Sequence, residues 1–362
     1  MSDQAGRWRL VLRGARFWAL YILFIAAFSI VSLELLLRWT GRAPGLPSQY
    51  SQNVSDPYLP WKPRPGSVVR GTTSEFEYRY EHNSVGFRDV EHSLKKPSGT
   101  FRILGLGDSF TYGIGVRFEQ TYLSRLERTL NEKLAGHPPV EVIKAGIPRY
   151  WPEPERVLLE RYGLAYSPDL VLVGFLPNDI LDTYFGLDGI EVTEGFLVNR
   201  TLEPIGSSGG WLYLHSHLFR ALVVPYLVRR IGADSSKRPT PEADMYGNNM
   251  AYEKEWQKIE FEFGRMLSLT SKAGARLAIV SIPQQGPWPT QPTYPEGRLS
   301  RWCRIHDVLF IATLPALRAA SEREAVYYPV DGHCTAAGYA VIAEQIHRAL
   351  IEKGALPPAQ AK

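Results

Sequence analysis

A chain of 362 residues, 44% of them hydrophobic, can bury a large core and hold one sizeable domain with an accessory piece. Its 41 Lys and Arg against 37 Asp and Glu leave a formal charge of +4, and the basic residues are spread along the chain, so no basic footprint points to nucleic acid. The two cysteines, Cys303 and Cys334, make neither a disulfide framework nor a C-x-x-C pair of the kind a structural zinc or redox site uses.

Residues 1–16 carry Arg7, Arg9, Arg13 and Arg16 ahead of the uncharged run 17–33, which residues 35–37 extend past Glu34. A helix of about twenty residues crosses the hydrocarbon layer, and Trp18, Tyr21 and Trp39 suit its two interfaces. The expectation is a single transmembrane helix over 17–37 in contact with the lipid bilayer. The arginine excess predicts a cytoplasmic 1–16 and export of everything after Trp39. A cleavable signal peptide and a buried helix of a soluble protein are the competing readings; against the first, no A-x-A-like site follows the apolar run.

Residues 38–98 are expected to form a juxtamembrane spacer, rich in Pro, Ser and Gly over 41–67, with an accessory strand over 75–81 whose Phe76, Tyr78 and Tyr80 face inward. A β-α cadence begins at residue 99 and runs to 351, followed by a flexible tail over 352–362. One strand is predicted as the short apolar run within 101–113 that ends in the Gly-Asp-Ser turn, and others over 140–145, 169–176, 275–282 and 325–328. Helices are predicted over 121–134, 153–166, 251–273, 305–319 and 336–350. This alternation indicates a three-layer α/β/α sandwich around a mainly parallel sheet. The cadence breaks over 182–249, an insertion long enough to have a functional use as a lid or substrate-binding element. Its apolar stretch 211–228 contains His215, His217, Arg220 and Pro225, which favours an amphipathic helix packed on the domain or against the bilayer over a second span.

Four turns fall at the carboxyl ends of predicted strands, where open α/β sheets place their chemistry. They are G-D-S-F-T-Y-G with Ser109, A-G-I-P with Gly146, G-F-L-P-N-D with Asn178, and D-G-H-C-T-A-A-G with Asp331 and His333. Each residue has a job in acyl transfer. Ser109 is the nucleophile, His333 the general base, and Asp331 the group that holds the imidazole. The Ser109 and Gly146 N–H groups and the Asn178 amide are the candidate oxyanion donors. Gly146 is expected to keep the substrate's approach open. Turn or cap roles are the plainer alternatives for Gly146 and Asn178, and Asp108 and Asp179 are read as hydrogen-bonding residues that shape their loops.

Together the four blocks resemble those of the SGNH, or GDSL-type, hydrolase superfamily, over about residues 101–351. The approach N-S-V-G-F-R-D is similar to that of its bacterial membrane-anchored branch. The resemblance implies a flavodoxin-like fold, the same composition of oxyanion hole, and serine hydrolase chemistry on ester bonds. Two departures stand out. Asp331 and His333 are separated by one residue where two are commoner, a spacing similar to polysaccharide O-acetyltransferase relatives; without the pairing a Ser-His dyad would remain. Lys144 stands where relatives often carry asparagine, and no catalytic role is assigned to it. The expected function is a membrane-anchored esterase acting on O-acyl groups of an envelope or exported carbohydrate, in the inner membrane with its catalytic domain outside the cytoplasm. An O-acyltransferase, which would need a partner supplying the acyl donor, and a non-catalytic envelope scaffold are the alternatives. The triad supplies nucleophile, base and electrostatic stabilisation, so no metal or organic cofactor is expected.

Overall fold

The computed structural model describes residues 2–40, 42, 50–133, 138–186, 190–193, 195–199, 206–235, 252–286, 288 and 294–357. Most of the expected spacer over 41–49, the polar end of the insertion over 236–249 and the end of the tail lie outside the described residues. Two compact units result, one of residues 1–47 and 201–238, the other of residues 48–200 and 239–362.

The larger unit is built on five parallel strands: β1 (Phe101–Gly107), β2 (Val140–Gly146), β3 (Leu170–Phe175), β4 (Arg276–Ser281) and β5 (Leu309–Ala312). Their order in the sheet is β5-β4-β3-β1-β2. Leu104 and Leu106 of β1 pack on one face with Leu158 and Leu159 of α4 (Pro152–Arg161) and with Trp256, Phe263 and Met266 of α8 (Glu253–Lys272). On the other face Ile103 packs with Leu123, Leu126 and Leu130 of α3 (Tyr122–Lys133) and with Tyr339, Ile342 and Ile346 of α11 (Ala336–Glu352). Successive side chains of a strand point to opposite faces, and here both faces are covered, which is why these strands read as nearly unbroken apolar runs. The result is the three-layer α/β/α sandwich, doubly wound, with the order reversing beside β1.

The carboxyl end of the sheet differs from the expectation at two places. Residues 305–319, read as one helix, divide into the end of α9 (Tyr294–Ile305), the edge strand β5 and α10 (Leu314–Ser321). Residues 325–328 form no ladder strand and contribute only a bridge between Tyr327 and Cys334. The edge of the sheet next to β4 is occupied by β5.

The segment expected to be a spacer is in part built into this unit. Leu59 and Trp61 are buried in the core cluster of α4 and α8. Val68–Thr72 pairs antiparallel with Glu77–Glu81, and Phe76, Tyr78, Tyr80 and Tyr50 gather against Tyr112 and Ile114.

In the smaller unit α1 (Ser2–Thr40) contains a segment, Arg16–Thr40, long and apolar enough to cross a membrane, with an 18-residue stretch of mean hydropathy 2.4, none of it buried. The stretch 211–228 is divided between two helices, α6 (Gly206–His215) and α7 (His217–Ser235), with Pro225 inside the second. Glu34 of α1 caps α7. Its carboxylate accepts from the N–H groups of His217 (3.0 Å) and Leu218 (2.8 Å) and from the Ser216 hydroxyl (2.8 Å).

Candidate active site

Strand β1 ends at Gly107, and Asp108 caps the short helix α2 (Ser109–Tyr112) by accepting from the Phe110 N–H at 2.9 Å. Ser109 therefore stands at the head of a helix, where N–H groups have no partner within the helix. The Ser109 Oγ lies 2.8 Å from His333 Nε2, and His333 Nδ1 lies 2.5 Å from Asp331 Oδ1. Gly332 adopts φ +83, a left-handed conformation that glycine takes without strain, and this turn lets residues two apart face one another. The D-x-H spacing thus gives a full chain of contacts from carboxylate to imidazole to hydroxyl. The His333 ring packs 4.8 Å from Phe110.

The side chains of Asp331 and His333 are 15% and 16% exposed, open enough for a substrate yet shielded enough for their pairing to matter. Burial works to raise the Asp331 pKa, but the hydrogen bond and charge of His333 and the hydroxyl of Tyr50 hold the carboxyl below its usual range. Asp331 therefore stays an anion, which suits a carboxylate paired with an imidazole.

Asn178 heads α5 (Asn178–Phe185), directly after β3 and Pro177. Its Nδ2 donates to Asp108 Oδ2 at 3.1 Å and to Asp182 Oδ2 at 3.5 Å, which ties it to the residue that caps α2. Behind it, among the described residues, both carboxylate oxygens of Glu155 and Oδ1 of Asp179 are buried without a hydrogen-bond partner. Burial, and then their mutual repulsion and that of Asp108, push both carboxyls well above the ordinary range, so they are kept protonated more readily than free carboxyls. Asp179 also accepts from the Leu176 N–H (3.1 Å), the loop-shaping contact expected of it.

Gly146 ends β2, paired in register with Gly107. A Cβ there would lie 2.4 Å from the Tyr112 nitrogen and 2.6 Å from the Thr111 carbonyl carbon, so the missing side chain makes room for α2 itself. Lys144 binds Asp89 (3.2 Å) and Glu127 (2.8 Å) and is nearly buried, a structural contact.

Three residues of the site were not foreseen. Tyr50 donates its hydroxyl to Asp331 Oδ2 at 2.7 Å. Glu75 accepts from the N–H groups of Val330 (3.0 Å) and Asp331 (2.6 Å). Arg88, buried against the Tyr80 ring at 3.9 Å, donates to the carbonyls of Tyr112 (3.0 Å), Gly113 (2.5 Å) and Val116 (2.7 Å), fixing the chain that leaves α2. Of these only Arg88 left a trace in the sequence, in the N-S-V-G-F-R-D approach. A groove of 1110 Å³ between the hairpin and residues 115–120 is lined by Phe76, Tyr78, Arg117 and Tyr328 and does not include Ser109 or His333.

No protein-family model and no curated protein matches the chain. Among solved structures it is similar to a lipolytic protein of the G-D-S-L family from Desulfitobacterium hafniense DCB-2, with 14% identity over 69% of this chain and 99% of that one and a TM-score of 0.41. A catalytic mutant of an acetylxylan esterase from Geobacillus stearothermophilus is 14% identical over 69% of this chain and 94% of its own, with a TM-score of 0.42. A two-domain esterase active on acetylated mannans is 14% identical, and the likeness covers 72% of this chain and 52% of that one with a TM-score of 0.41. The Ser109, Gly146, Asn178 and Asp331-to-His333 blocks follow in that order along a doubly wound parallel sheet, and His333 bridges Ser109 and Asp331.

Proposed function

We propose that the protein is a membrane-anchored serine esterase that removes O-acyl groups, O-acetyl foremost, from an envelope or exported polysaccharide. The observation that carries this reading is the continuous contact from Asp331 through His333 to the Ser109 hydroxyl. In the first step Ser109 Oγ bonds to the acyl carbon while its proton passes to His333 Nε2. The carbonyl oxygen becomes an oxyanion, for which the Ser109 and Gly146 N–H groups and the Asn178 amide are the candidate donors. Its arrival would displace the longer of the two Asn178 contacts, the one to Asp182 at 3.5 Å. As the tetrahedral adduct collapses, His333 returns the proton to the departing sugar oxygen. Water, deprotonated by His333, then releases the acid from Ser109.

The location rests on Arg16–Thr40, with the arginines before it held in the cytoplasm and the catalytic unit outside, in the periplasm or at the cell exterior. The test is to trap an acyl-enzyme with an activated ester on the full chain and on Ser109→Ala, then to follow release into water and onto glycans. Acylation of the wild type alone, with release mainly to water, is the expected result. Release mainly to a glycan would make the protein an O-acyltransferase, and the absence of any acyl-enzyme would defeat both.

A further inference from the structure

We propose that Tyr50, from the segment that joins the catalytic unit to the apolar N-terminal helix, is a positioning residue for the triad: its hydroxyl locks the Asp331 carboxylate in the plane that serves His333. The inference rests on the esterase reading above and adds to it a part of the site lying outside the four blocks. With only Gly332 between Asp331 and His333, Oδ1 takes both the His333 ring at 2.5 Å and the His333 backbone N–H at 3.4 Å. The terminal torsion of an aspartate is broad, so a carboxylate held by one oxygen swings easily. Tyr50 holds the other oxygen at 2.7 Å, and Glu75 fixes the backbone of the same turn through the Asp331 N–H at 2.6 Å.

Tyr50 is itself fixed. Its carbonyl accepts from the Tyr112 hydroxyl at 2.6 Å, and that hydroxyl also meets His82 Nε2 at 2.9 Å. The Tyr50 ring packs against Tyr78 (5.2 Å between centroids), Tyr80 (6.2 Å), Phe76 (6.3 Å) and the His333 ring (6.3 Å). A hydroxyl so placed meets the carboxylate in one geometry, and hydrogen bonds to an ionised acceptor are the strong ones. Because Tyr112 lies on the nucleophile helix, one chain of contacts joins α2, the upstream segment and the Asp331 turn. The short spacing in D-x-H is thereby compensated by a residue 281 positions earlier.

The test uses the full chain in detergent and compares wild type, Tyr50→Phe, Asp331→Ala and the double variant, with Ser109→Ala as control. Each is assayed with an activated acetyl ester and by its rate of labelling with a fluorophosphonate probe. Tyr50→Phe keeps the ring and removes one oxygen. The expected outcome is about a tenfold lower kcat and labelling rate with KM within about twofold, and less than about a twofold further effect in the Asp331→Ala background, since coupling marks residues that act through one another. A Tyr50→Phe variant that labels at the wild-type rate while Ser109→Ala does not label would overturn the role of Tyr50 and leave the esterase reading standing. An equal effect in both backgrounds would overturn it too, by showing that the hydroxyl acts elsewhere. A wild type that neither labels nor hydrolyses overturns both.

Discussion

Replacing Asp182 by asparagine should stabilise the protein in alkali and not in acid. Asp182 lies partly buried beside Asn178; burial foremost, with the charge of Asp108 adding, raises its pKa from 3.8 to about 7 against the opposing pull of Arg149. Between those values the folded state holds a proton that the unfolded state has released, so stability falls as pH rises through the window, and the loss is complete above about pH 7. A rise of roughly 3 pKa units at about 1.4 kcal/mol each sets a ceiling of about 4 kcal/mol. Asp182 retains some access to solvent, and screening there reduces the figure to about 2 kcal/mol. Asp182→Asn is neutral at every pH and is spared this loss. Thermal unfolding at pH 4.5 and pH 8.5 should therefore show a melting temperature close to wild type in acid and about 5 °C higher in alkali, using about 2–4 °C per kcal/mol for a domain of this size. Glu155 and Asp179 are also raised, so the variant should still lose some stability with pH, with a smaller slope. An Asp182→Asn variant with the same gain at both pH values, or with none in alkali, would refute the assignment of a raised pKa to this carboxyl.

Two further substitutions probe the oxyanion side. Asn178→Ala should lower kcat by about a hundredfold to a thousandfold with little change in KM, the range seen when one oxyanion donor is removed; steady-state kinetics with an activated ester would check it, and a change of less than about threefold would take Asn178 out of the hole. Gly146→Ala should fail through the backbone of α2, because the added carbon meets the Tyr112 nitrogen at 2.4 Å. A melting temperature lower by several degrees, together with loss of Ser109 labelling, is expected, whereas a stable variant with only a raised KM would restore the idea that Gly146 merely clears the substrate's path.

The parts of the fold that were legible are those in which local composition and burial agree. β1 and β3 are covered on both faces, so each appears as an apolar run, and the turns that follow hold Ser109 and Asn178. The helices flanking the sheet announce themselves by spacing, as with Leu123, Leu126 and Leu130. β5 was hidden for a physical reason. It is an edge strand of four residues, separated only by Thr313 from Leu314 and Pro315, a good helix start, so its apolar residues merge with the helical pattern on both sides. Residues 325–328 have strand-like composition, yet composition cannot say whether a sheet edge is vacant.

The active site divides in the same way. Ser109, Asn178, Asp331 and His333 are visible because each ends a strand or precedes a helix within a short block. Tyr50 and Glu75 sit in stretches whose aromatic and acidic character has plainer explanations, and only the fold brings them to the Asp331 turn. What the sequence presents as a weakness, a single residue between Asp331 and His333, is a geometry that leaves one carboxylate oxygen to be held from elsewhere. The oxygen is held by Tyr50 and the turn by Glu75, both upstream of the nucleophile strand. On the Tyr50 proposal, the unit to be tested for activity includes residue 50 as well as the sheet. A catalytic fragment cut at residue 99 would keep all four blocks and still lose the contacts that set Asp331 against His333.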